Sequence, residues 1–184
     1  MCVQPVAPKV AEFSFVKESA NLQTADETQA VLVYELSKVF ACLSDYESDA
    51  GYDTFAKTEF ADMVSMARML CEQEKWNFNA MVNNAALTEW GYSITNVLMS
   101  RMFIALGKVV QSRHYYKRFG TPRHGDPQQM MQGFVVEMYA FCAHRSWVFQ
   151  EMKYLGEERY KERMDDLKAN GISRLLKSKY RRSV

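Results

Sequence analysis

Little in this chain breaks or bridges it. Four prolines and eight glycines in 184 residues leave few points at which a helix must stop. The four cysteines, Cys2, Cys42, Cys71 and Cys142, show no Cys-x-x-Cys spacing and no paired pattern, so neither a zinc knot nor a disulfide framework is expected. They read as reduced thiols of an intracellular, cytoplasmic protein. No apolar run approaches the ~18 residues of a membrane span. Met1 to Val10 lacks the basic stretch and apolar core of a secretory signal. A net charge of +1 supplies no global pull toward nucleic acid or a membrane surface, and neither is expected as a partner. Strand-like alternation of useful length is missing as well, which points to an all-α fold.

What is present suits long, packed helices. Hydrophobic residues make up 48% of the chain, enough to fill one sizeable core. Thr24-Ala25-Asp26-Glu27 reads as a capping box, opening a helix that runs to about Asp45. Its apolar positions are Val31, Val33, Leu36, Val39, Phe40 and Leu43. Ser44 to Asp53 is acidic and contains glycine, so a loop is expected there. A second helix starts near Thr54 or Thr58 and ends near Lys75, and Trp76 to Asn79 breaks the chain before a shorter helix to about Thr88. A long helix spans roughly Ser93 to Arg118 and stops at Gly120. Asp126-Pro127 supplies an N-cap and a first-turn proline for a helix expected to reach about Tyr154. A last one covers Glu157 to Asn170.

The chain also resembles itself. Cys71, Trp76, Phe78 and Met81 recur as Cys142, Trp147, Phe149 and Met152 at an offset of 71, and Leu36, Lys38 and Val39 recur as Leu106, Lys108 and Val109 at an offset of 70. The expected organisation is an N-terminal arm (1–23), a first half (24–90), a second half (91–170) and a basic tail (171–184). Chance alignment of Met- and Phe-rich amphipathic helices is the plainer alternative.

Glu59-Phe60-Ala61-Asp62 carries the chemistry. Two carboxylates three residues apart share a helix face, and Glu35 lies on the preceding helix. Packing those helices together would converge three acids on a hard divalent cation. A Glu-x-x-Asp near a helix start also suits the helix dipole alone. The residues matching Glu35, Glu59 and Asp62 in the second half are Ala105, Met130 and Gly133, so that half has lost every acidic ligand.

Glu35-Leu36-Ser37-Lys38, Glu59 to Val64 and the Trp-Asn-Phe break resemble the MazG-like, all-α nucleoside triphosphate pyrophosphohydrolases, a group that includes the dimeric dUTPases. That family carries Glu-x-x-Glu on one helix and Glu-x-x-Asp on the next, and the resemblance extends from about Thr24 to Asp166. It implies a helical bundle, here a tandem pseudo-two-fold repeat of four-helix units. It implies Mg2+- or Mn2+-dependent cleavage of a nucleoside triphosphate to monophosphate and pyrophosphate. Glu35, Glu59 and Asp62 would be the catalytic and metal-binding residues. Lys38 stands where the fourth acid belongs. Its ammonium would either contact a substrate phosphate in place of one metal, or pair with Asp62 or Glu35 and close the site. The competing reading is a catalytically impaired relative that binds nucleotides or proteins; an unrelated helical bundle is a third. A homodimer of the tandem chain is left open.

Other features are less specific. Trp76, Trp90 and Trp147 could stack on a base, although at their spacings such residues are more often core or helix-packing residues. The run Arg113 to Arg118 could contact phosphates, as cations at a helix end also do the helix dipole. His114, His124 and His144 share no metal-ligand spacing.

Overall fold

The computed structural model describes residues 14–15, 23–44, 50–88, 94–121 and 125–170. These residues form six helices: α1 (Ala25–Ser44), α2 (Ala50–Gln73), α3 (Phe78–Ala86), α4 (Thr95–Phe119), α5 (Pro127–His144) and α6 (Phe149–Asn170). No strand occurs among them, and the protein is an all-α helical bundle. No described helix is long and apolar enough to cross a membrane. The N-terminal arm to residue 13, Trp90, His124 and the basic tail lie outside the described residues.

The helix starts follow their chemistry. Thr24 N–H and Oγ donate to Glu27 Oε2 at 2.7 and 2.8 Å, and Glu27 N–H donates back to Thr24 Oγ1 at 3.3 Å. Asp126 accepts from Gln129 N–H at 3.1 Å with Pro127 at the first helical position. Such caps contribute about 1 kcal/mol each. Gly120, at φ 68°, takes the left-handed residue that closes α4.

Three expectations need correction. Helix α2 begins at Ala50, well before Thr54, with Asp53 in its first turn where the helix dipole favours an acid. The expected helix from Asp126 to Tyr154 is two helices, and α6 starts at Phe149 instead of Glu157. Between them Ser146 adopts φ 57°, and Trp147 N–H donates to the Cys142 carbonyl at 2.8 Å. Lys75 (φ 61°) and Trp76 make the same turn after α2, with Trp76 N–H on Cys71 O at 2.7 Å. Both are Schellman-type ends built without glycine, which removes the usual sequence signal. Val33 and Phe40 are also exposed, at 40% and 41%, because the apolar side chains that α1 buries are Leu32, Leu36, Val39 and Leu43.

Helix α2 is the centre of the molecule. Every residue from Phe60 to Cys71 is buried, since α1 packs on one side of α2 and α6 on another. A helix enclosed this way is apolar around most of its circumference, and its polar exceptions need partners. Gly156 permits the α2/α6 approach: a Cβ there would collide with the Ala61 carbonyl and the Ser65 hydroxyl. Helices α4 and α5 pair as α1 and α2 do, and α3 packs on α5 as α6 packs on α2. The pairing pattern is thus unchanged when α1–α3 are exchanged with α4–α6. One apolar core runs through both sets, with Phe60, Phe141 and Trp147 in ring contact at 5.4–5.7 Å.

Candidate metal centre

Helix α1 brings Glu35 against α2, and the three-residue step from Glu59 to Asp62 places both α2 acids toward it. One carboxylate oxygen from each of Glu35, Glu59 and Asp62 lies within 4.8 Å of the others. Among the described residues, no other group of three or more His, Cys, Asp or Glu side chains is arranged to hold a metal. Glu35 and Asp62 are buried and Glu59 is half-buried.

The acids are already balanced by cations. Lys38 Nζ donates to Glu35 Oε2 at 2.6 Å and ion-pairs with Glu59. Arg159 grips Asp62 with both ends of its fork, Nε to Oδ1 at 2.9 Å and an Nη to Oδ2 at 3.1 Å, and Arg163 pairs with Oδ2 as well. Bidentate pairs of this kind are the stronger, geometrically defined ones. Three acids therefore meet three cations. The acids form the inner layer, while Lys38, Arg159 and Arg163 remain 30–40% exposed above them.

Burial pushes the Glu35 carboxyl above its ordinary value, and the neighbouring Asp62 and Glu59 charges add to this against the pull of Lys38. Burial works against the charged form of Lys38, but its hydrogen bonds to Glu35 and Glu59 win and raise its pKa. The hydrogen bonds to Asp62 raise that of Arg159. The cluster is thus held together by charge, with burial opposing the ionised form of Glu35.

The other sequence candidates scatter. Trp147 is a core residue, while Trp76 is half-buried and lines a cavity of about 250 Å3 with Arg113, Tyr116 and Lys117. Arg113 is buried and committed to Glu74, Asp26 and Gln29. His144 lies 3.1 Å from the Thr95 hydroxyl, and His114 is exposed. Cys71 and Cys142 are free and buried, which pushes their thiols far above the ordinary range. Sequence reasoning missed Arg159 and Arg163. Their i, i+4 spacing on a polar helix was the available signal, yet nothing in it points across the bundle to Asp62.

No family model matches the chain, and no match was found among curated proteins or among solved structures.

Proposed function

We propose that the α1/α2 acid cluster is a divalent-cation site of a nucleoside triphosphate pyrophosphohydrolase, as the resemblance of its motifs to the MazG-like group implies. The observation that carries this reading is the convergence of Glu35, Glu59 and Asp62 from two helices. Oxygen donors on rigid helices are the ligand chemistry that Mg2+ and Mn2+ prefer, and a spread of at most 4.8 Å needs only small side-chain adjustment to close on one ion. The ion, when bound, would neutralise phosphate charge and lower the pKa of a coordinated water. The chain's own part is to supply oxygens from Glu35, Glu59 and Asp62. Arg159 and Arg163 orient Asp62, and their exposed edges face outward where a polyphosphate would approach. In this reading the second half, lacking the three matched acids, completes the fold around the site; α6 supplies both arginines.

A second reading is favoured by Lys38, whose ammonium lies between Glu35 and Glu59, where an ion bridging those two acids would sit. In that reading the lysine is the resident cation and the chain binds nucleotides or proteins without hydrolysing them. One experiment separates the two. Wild-type protein and Lys38→Glu are each incubated with the ribo- and deoxyribonucleoside triphosphates in Mg2+ or Mn2+, and pyrophosphate release is followed. Release by wild type that disappears in Glu59→Gln supports hydrolysis. Release only in Lys38→Glu supports the lysine-blocked reading. No release from either, with no Mn2+ binding by Lys38→Glu, would remove the metal centre itself.

A further inference from the structure

The three positions that match the acids by sequence offset, Ala105, Met130 and Gly133, do not scatter. They line a single groove of about 290 Å3 between α4 and α5, together with Arg101, Lys108 and Glu137. This volume is at the lower end of small-molecule sites. The groove holds no carboxylate positioned like Glu35 or Glu59, so Lys108, the counterpart of Lys38, is exposed and has no ion-pair partner among the described residues. Arg101 lies two helical turns before it on the same face and donates to Glu137 Oε1 at 2.9 Å. Glu137 Oε2 is buried with no hydrogen-bond partner among the described residues. The arginine is therefore the one donor holding that carboxylate, which keeps Arg101 committed and leaves Lys108 as the uncompensated charge.

The floor between the charged ends is apolar and open. Met130 and Ala105 are half-buried, and Ile104 is 60% exposed at the rim. At Gly133 an added Cβ would meet nothing within 4 Å, so the glycine leaves an unfilled slot in the groove wall. Among the described residues, two positive groups and one negative line the groove, a net charge of one positive. A monoanion balances that charge; a polyphosphate would not, and a bare inorganic ion would leave the apolar floor uncovered.

We propose that the α4/α5 groove binds a small monocarboxylate with an apolar chain, its carboxylate on Lys108 and its chain along Met130 and the open face of Gly133. This site is separate from the acid cluster and does not rest on the pyrophosphohydrolase reading. Methionine suits such a wall, since its unbranched side chain adapts to chains of different length.

The test is an NMR titration of the full chain with hexanoate, hexanamide, acetate and inorganic phosphate. Hexanoate should give saturable shifts at α4 and α5 resonances with a dissociation constant of about 1 mM or tighter. Hexanamide, lacking charge, and acetate, lacking chain, should each bind at least about tenfold more weakly. Lys108→Ala should weaken hexanoate by a similar factor. Gly133→Met fills the slot and should abolish binding while leaving the thermal midpoint unchanged or higher, because a helix-interior glycine is replaced by a better helix former. Equal binding of hexanoate and hexanamide would overturn the proposal. So would phosphate binding as tightly as hexanoate, or hexanoate binding undiminished in a folded Gly133→Met protein.

Discussion

Helices α1 and α2 and helices α4 and α5 form two hairpins that pair alike, each with a lysine at the matched position, yet their inner faces carry opposite chemistry. On the first, Lys38 is captured between Glu35 and Glu59, with Asp62 held by two arginines from α6. On the second, alanine, methionine and glycine stand at the matching positions, and Lys108 is exposed. The difference teaches what a lysine does in a helical bundle. Its role is set by the acids that its own helix and the neighbouring one present, and the backbone around it need not change.

Paired substitutions at matched positions should separate the two hairpins. Asp62→Ala and Gly133→Ala convert corresponding positions to the same residue and should move stability in opposite directions. Losing Asp62 strands two arginines that are only partly exposed, costing about 3 kcal/mol, the lower end of what breaking a buried pair costs. Gly133→Ala meets open space and should gain about 0.5–1 kcal/mol. Urea unfolding of both variants measures the contrast, and a shared sign would end the comparison.

Gly156 and Ala85 correspond at the offset of 71; Gly156 sits where α6 meets α2, and Ala85 is buried on α3. Gly156→Ala should destabilise by about 2 kcal/mol, because the new Cβ collides with the Ala61 backbone. Ala85→Gly should cost about 1 kcal/mol, chiefly through helix propensity. A neutral Gly156→Ala in thermal unfolding would mean that α2 and α6 are not so closely packed.

Lys38→Met should cost about 2 kcal/mol near neutral pH, since it leaves Glu35 and Glu59 facing each other without a counter-charge. Lys108→Met should stay within about 0.5 kcal/mol. The pH dependence has a defined sign. The folded-state pKa of Lys38 is raised above 10.5 by Glu35 and Glu59, so its stabilisation is complete below that pH and is lost as pH climbs through the raised value. The stability gap between wild type and Lys38→Met should therefore close in strongly alkaline solution. A gap that persists there would assign the effect to packing of the lysine stem. Glu35 contributes in the same sense, but in the acid range. Its raised pKa means that the folded state binds its proton more tightly, so this group's contribution falls as pH rises from 4.5.

Much of the fold was legible before any coordinates. The Thr24 capping box, the Gly120 stop and the Asp126-Pro127 start all occur where local chemistry places them, because each depends on side chains within four residues. The turn at Ser146 was missed for the same reason, as neither glycine nor proline marks it. The recurrence of Cys71 and Trp76 as Cys142 and Trp147 did carry that information. Applied to the helix boundary, the offset predicts a break after Cys142 that matches the one after Cys71. At the candidate site, Glu35, Glu59 and Asp62 were nameable because helical spacing and two adjacent helices suffice to bring them together. The alternatives for Lys38 were not separable, since a side chain one turn from Glu35 can point along or away from the acid pair.

The sequence alone carried most of the helices, the Thr24 and Asp126 caps, the buried positions Leu36, Val39 and Leu43 of α1 and the three acids that converge, since these follow from periodicity and short-range hydrogen bonding. Tertiary structure alone decided that Lys38 bridges Glu35 and Glu59, that Arg159 and Arg163 reach Asp62 from about a hundred residues away, and that Ala105, Met130 and Gly133 share one groove. Those outcomes depend on which helices pack and at what separation. Packing of that kind is a property of the whole core, including the glycine at position 156 that lets α6 approach α2.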